Sequence, residues 1–203
     1  MRNLHGWCAV LPLGVFLVLH LLLNARVLLG PSWDSEFSAF ASPALFWVEA
    51  LLVWVPLALH TAYASWLALA ASTEASGKPR AATLLTRASG FAALSFVVYH
   101  ALEFRIPHAS GALNAADIPQ KLYAELSATT QSGMPLTAAL YLLGLAATVF
   151  HAGHGAYWMY ARSHAGADAT RAARWVGSCA TLLFVLGAQT VVYCATGSRF
   201  FFW

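Results

Sequence analysis

Long apolar stretches dominate this chain and are broken by short polar segments. Five of them are long enough to cross a bilayer as helices, which takes roughly 20 residues. They fall near 6–29, 43–71, 86–107, 132–161 and 171–196. The breaks carry turn and cap chemistry. Gly30-Pro31 ends the first run and Ser42-Pro43 opens the second. Gly77-Lys78-Pro79 precedes the third, and Ser132-Gly133 with Pro135 begins the fourth. The longest loop runs from His108 to Gln131. Within it, residues 118–126 mix apolar and polar positions and predict a short helix lying over the bundle at the interface. The pattern predicts an all-α integral membrane protein, one membrane domain over 1–203 built from five transmembrane helices in a bundle.

The N-terminus has one feature of a signal peptide, Arg2 before an apolar stretch. The small-residue triplet Ala39-Phe40-Ala41, however, lies far beyond that stretch, past Asp34 and Glu36. The run from Trp7 to Leu29 is itself long enough to span, so a retained first helix is expected.

Composition agrees with the pattern. The chain is 60% hydrophobic and 9% charged, with a mean hydropathy of +0.64, whereas soluble domains carry about a quarter charged residues. The net charge of +3 calls for no nucleic-acid partner, because membrane proteins collect Lys and Arg in cytoplasmic loops. With the N-terminus inside, Arg2, Lys78, Arg80, Arg87, Arg162, Arg171 and Arg174 fall on the cytoplasmic side. Arg26, Arg105, Lys121 and Arg199 fall outside. This bias predicts a cytoplasmic N-terminus and an external C-terminus. Cys8, Cys179 and Cys194 are scattered without a C-x-x-C spacing, which argues against a disulfide or a cysteine metal site.

Each of the first four runs holds a histidine well inside it: His20, His60, His100, and His151 with His154 beside it. One such residue is ordinarily a polar group bonded across a helix interface. Four in succession ask for a reason, since an ionisable group at membrane depth costs a few kcal/mol. His20 and His100 lie about nine residues, roughly 13 Å, from the outer ends of their helices. His60 and His151 lie about eleven residues, roughly 16 Å, from the inner ends. The depths pair the first helix with the third at an outer level, and the second with the fourth at an inner level. A bare zinc site wants three or four ligands. Two imidazoles at each level instead suit the axial positions of a haem iron, so the spacing favours two stacked b haems. Small residues at Gly14, Ala64, Gly90, Gly144, Ala147 and Gly155 offer space for macrocycles and equally serve helix packing. His151 and His154 share a helix face, so periodicity leaves the choice between them open. His5, His108 and His164 fall at run ends or in loops, where the ordinary environment is solvent or interface.

The segments LHGWCAVLPLGVFLVLHLLLN, PLALHTAYASW, LTRASGFAALSFVVYHALEFR and TVFHAGHGAYW resemble the five-helix dihaem cytochrome b anchor of succinate dehydrogenases and fumarate reductases. The similarity covers all four histidine-bearing helices in order and spacing. It is carried most specifically by Arg-x-Ser-Gly at 87–90 and by His-x-x-Glu-x-Arg from His100. The resemblance implies a distal haem on His20 and His100 and a proximal haem on His60 and His151, with His154 not a ligand. It further implies a flavoprotein and an iron–sulfur subunit on the cytoplasmic face of a bacterial inner membrane, no succinate site in this chain, and electrons delivered to a quinone, menaquinone in most relatives with a single dihaem anchor.

Charged residues near the histidines complete the expectations. Arg105, Arg87 and Arg26 are candidate partners for haem propionates, given the fit of guanidinium to carboxylate. Glu103 or interfacial water are the alternative partners for Arg105. Glu49, eleven residues before His60, is either an interfacial acid or a proton donor at a quinone site. Other readings are a different dihaem cytochrome b, a proton or metal-ion transporter using the histidines as a relay, and a haem-free anchor. The relay calls for more intramembrane carboxylates than the sequence offers.

Overall fold

The computed structural model describes residues 9–30, 43–70, 80–162 and 167–200. Arg2, His5, Cys8, Lys78, His164 and the Ala39-Phe40-Ala41 triplet lie outside the described residues. Every regular element among the described residues is helical. Five helices are long and apolar enough to cross a membrane: Leu11–Leu29, Phe46–Leu69, Ala81–Ala109, Leu136–Ala161 and Asp168–Thr196, called here the first to fifth spans. A short helix, Ile118–Ser127, follows the third span, over the segment where the amphipathic pattern calls for one; it is called the outer helix after the side expected from the sequence.

Span limits differ from the sequence reading at three starts. The third helix begins at Arg80, because the strong helix formers Ala81, Ala82, Leu84 and Leu85 extend it backwards. The fifth begins at Ala167. The fourth begins only at Leu136. Residues before it form a turn in which Gly133 takes φ +77°, a conformation that favours glycine, and Gly133 N–H donates to Thr130 O at 2.8 Å.

Three wide, π-type turns interrupt the helices at Ala9–Leu13, Ala50–Trp54 and Ala101–Arg105. Proline accounts for them. A proline ring inside a helix collides with the carbonyl four residues back and offers it no N–H. Pro12 lies within the first turn, and Pro56 and Pro107 follow the other two. The widening shifts register so that residues five apart share a face: Val55 N–H bonds to Ala50 O, and Ile106 N–H to Ala101 O. Beyond the third turn, Pro107 cannot serve the carbonyl of Glu103, and Lys121 Nζ of the outer helix donates to it at 2.7 Å.

Two apolar clusters hold the bundle. One joins Val27 and Leu28 of the first span, Phe104 of the third, Leu126 of the outer helix, Ala138 and Tyr141 of the fourth, and Val191 and Cys194 of the fifth. The other packs Leu21 on Leu145 and Val149, against Leu183 and Phe184. The fourth span packs against both the third and the fifth. The second span touches the start of the first and faces the others across a large cavity. Large apolar side chains such as Trp47, Leu69, Phe91, Leu143, Trp175 and Leu182 are exposed, on a scale soluble proteins avoid and a lipid surround accommodates.

Two histidine pairs in one apolar cavity

A cavity of about 2750 Å³ runs along the bundle and is lined from all five spans. It exceeds the roughly 300–1,000 Å³ of an ordinary small-molecule pocket. His20, His60, His100 and His151 all line it.

The four imidazoles stand as two pairs. His20 and His100 have ring centres 5.8 Å apart with planes at 78°. His60 and His151 have ring centres 6.1 Å apart with planes at 76°. Metal–nitrogen bonds of about 2.0 Å, with the ring radius added, put two imidazoles on opposite sides of one ion at about 6.3 Å. Both pairs are close to that spacing. Among the described residues no group of three or more His, Cys, Asp or Glu is arranged to hold a metal ion, so each pair would need a ligand that brings its own equatorial donors, as a porphyrin does.

The surroundings hold the rings in place. His20 stacks on Phe16 at 5.3 Å. His100 is flanked by Phe96 at 6.0 Å and Phe104 at 5.4 Å, and its Nδ1 lies 3.1 Å from Tyr141 Oη. His151 Nδ1 lies 3.3 Å from Ser89 Oγ. A Cβ at Gly90 would stand 2.8 Å from His151 Cε1, so the third span leaves a notch for this ring. Likewise Gly144 accommodates Phe96, whose ring a Cβ there would enter. These cradles, the pair spacings and the cavity volume fit two planar macrocycles.

His154 is held differently. Trp158 Nε1–H donates to its Nε2 at 2.9 Å, and its Nδ1 lies 3.1 Å from Thr86 Oγ1, whose hydroxyl donates to Ala82 O at 2.7 Å. The proton therefore sits on Nδ1, and neither nitrogen offers a free lone pair. His151 thus faces His60, while His154 faces Trp158 and Thr86.

Glu49 and Arg105 come together on the cavity wall. Arg105 Nε donates to Glu49 Oε1 at 2.8 Å and Oε2 at 2.7 Å, and Trp54 Nε1 donates to Glu49 Oε1 at 2.8 Å. The Trp54 bond links residues five apart across the wide turn. Arg105 also lies over the Phe46 ring at 5.3 Å. Its carboxylate partner is therefore Glu49 and not Glu103, because Glu103 Oε2 accepts from Lys121 Nζ at 3.1 Å. Arg26 and Arg87 are exposed on the cavity wall. His108, also at the wall, donates from Nδ1 to Leu113 O at 3.0 Å.

Tyr141, Ser89, Trp158, Thr86 and Trp54 escaped the sequence reading as site residues. Ser89 lies inside the Arg-x-Ser-Gly motif and could have been singled out. Tyr141 sits ten residues before His151, among apolar neighbours, with no local signal.

The chain resembles a succinate dehydrogenase cytochrome b subunit. It is 28% identical over 165 residues to the succinate dehydrogenase cytochrome b558 subunit of Bacillus subtilis (strain 168), covering 79% of this chain and 77% of that protein. No protein-family model matches the chain, and no solved structure matches it. The similarity and the five apolar helices both support a multi-pass membrane protein.

Proposed function

We propose that this chain is the dihaem cytochrome b membrane anchor of a succinate dehydrogenase, carrying electrons from an iron–sulfur subunit through two b haems to a membrane quinone, menaquinone. The observation that carries the reading is the pair of facing imidazole couples, each near the spacing of a bis-histidine iron, in one apolar cavity. The similarity to the Bacillus subtilis subunit supports it.

In this reading His20 and His100 hold the outer, distal haem, and His60 and His151 the inner, proximal one. A haem held between such a pair of imidazoles would supply reversible one-electron transfer. The chain's own part is to bind, orient and keep dry. Phe16, Phe96 and Phe104 wall the outer pair, and apolar residues line most of the cavity. Arg87 at the inner level and Arg26 at the outer are the propionate partners. Arg105, whose two bonds to Glu49 use Nε, keeps its two terminal nitrogens for the same task. Glu49, fixed by Arg105 and Trp54, is the proton donor for quinone near the outer pair. The N-terminus is cytoplasmic, in a bacterial inner membrane. A flavoprotein and an iron–sulfur subunit dock on the inner face, where Arg162, Arg171 and Arg174 lie. Succinate is oxidised in those partners, not here.

The test is haem content per chain, from reduced-minus-oxidised spectra and a pyridine haemochrome assay. Two b haems per chain are expected. A folded preparation, purified from haem-replete cells, that holds none would overturn the reading.

A further inference from the structure

The geometry points to a reciprocal arrangement of the third and fourth spans, in which Tyr141 and Ser89 are positioning residues for the histidine that the other span carries. Tyr141 of the fourth span orients His100 of the third, and Ser89 of the third orients His151 of the fourth. The inference rests on the dihaem reading and adds to it the groups that set each haem's potential.

In both couples the contact is to Nδ1: His100 Nδ1 to Tyr141 Oη at 3.1 Å, and His151 Nδ1 to Ser89 Oγ at 3.3 Å. For Ser89 the proton positions follow from the bonds. Its hydroxyl donates to Thr86 O at 3.1 Å, which leaves its oxygen to accept from the ring, beside the Thr86 backbone that also bonds the imidazole. His151 then carries its proton on Nδ1 and leaves Nε2 as the lone-pair nitrogen. If His100 ligates through Nε2, its proton also lies on Nδ1 and Tyr141 Oη accepts it at 3.1 Å. Both hydroxyl residues are buried, Tyr141 at 6% exposure and Ser89 at 8%. Water cannot readily replace them when they are removed.

An acceptor on Nδ1 pushes electron density through the ring onto the ligating nitrogen and favours the oxidised, more positive iron. Each hydroxyl therefore lowers the potential of one haem. The crossing makes the assignment specific: a change in the fourth span acts on the haem held by the first and third, and a change in the third acts on the haem held by the second and fourth. The close packing of Gly90 on His151 and of Gly144 on Phe96 keeps the two spans in the register that both bonds need.

The experiment is a spectroscopic redox titration of Tyr141→Phe and Ser89→Ala in the assembled complex, with haem counted in the same samples. The outer and inner signals are assigned beforehand from His100→Ala and His60→Ala. Tyr141→Phe is expected to raise the outer haem's potential and leave the inner unchanged. Ser89→Ala is expected to do the reverse. Each shift should approach a tenfold change in the one-electron equilibrium constant, about 59 mV. Two retained haems with unmoved potentials in both variants, or both haems shifting together in either, would overturn the inference while leaving the dihaem reading intact. Wild-type complex without haem would instead remove the reading beneath it. Should Tyr141→Phe fail to assemble, Ser89→Ala decides alone.

Discussion

Gly90 and His151 pack so closely that a methyl group at position 90 would lie 2.8 Å from Cε1 of the imidazole. Neither side of this contact can yield cheaply. The glycine is part of helical backbone, and the ring also lies beside the buried Ser89 hydroxyl. If the two pairs hold the proposed haems, Gly90→Ala is expected to displace His151 and to cost the haem at that pair, with the one at His20 and His100 retained. Gly144→Ala should do the opposite, because its Cβ would enter the Phe96 ring that stacks on His100. Haem counts with spectra assigned to each level check both. Two intact haems in Gly90→Ala would show that the notch is mere helix packing.

If the paired histidines hold the proposed haems, removing one of them should be equally selective. His60→Ala and His100→Ala each take away one half of one pair, so each is expected to reduce the haem count from two to one. A pyridine haemochrome assay of the purified chain reads the loss directly. His154→Ala should keep both haems, since its ring nitrogens are already engaged by Trp158 and Thr86.

The spans were legible because a bilayer imposes length and apolarity on any helix that crosses it, and that signal survives without knowledge of tertiary contacts. The pairing of His20 with His100 and His60 with His151 could be proposed for a similar reason, since depth along a helix is counted in residues. What could not be read was anything set by rotation about the helix axes or by contact between distant positions. Glu49 and Arg105 are 56 residues apart, and no local pattern couples them. The sequence instead offered a haem propionate as the partner of Arg105, with Glu103, two positions away, or interfacial water as the alternatives. The wide turns before Pro56 and Pro107 change rotation in mid-span, and they decide that Trp54 meets Glu49. The early start of the third helix was missed because its first two turns, Arg80 to Arg87, carry charge and threonines and read as loop.

The outer helix should loosen as pH rises. Lys121 Nζ binds Glu103 Oε2 at 3.1 Å and Glu125 Oε1 at 3.3 Å. Burial, partly offset by Lys121, holds the Glu125 carboxyl above its usual 4.5. Burial alone would lower Lys121, but its bonds to Glu103 and Glu125 outweigh that and raise it above 10.5. Both groups bind protons more tightly folded than unfolded, so each contributes stability below its unfolded pKa and loses it as pH passes through the folded value. The Glu125 contribution is thus lost from pH 4.5 upwards and that of Lys121 only in strong alkali. Amide-exchange protection of residues 118–127, corrected for intrinsic rates, should be greater at pH 5 than at pH 7. Glu125→Gln should flatten that difference, and an unchanged difference in the variant would place its origin elsewhere.

Glu49 is the residue whose role the geometry makes most testable, because its two partners give it a structural job as well. Arg105 and Glu49 are both partly buried, at 24% exposure each, so haem content and assembly must be read beside turnover in any variant of the pair. Glu49→Gln keeps one oxygen to accept from Trp54 or Arg105, and removes the negative charge together with the capacity to give and take a proton. If the carboxyl delivers protons to quinone, turnover with quinone should fall by roughly 10²-fold, the lower end of what general acid catalysis supplies. Both haem spectra and succinate-dependent haem reduction should persist. Unimpaired quinone turnover in Glu49→Gln, with two haems present, would reduce Glu49 to an anchor for Arg105 and move the proton donor to another group on the outer wall of the cavity.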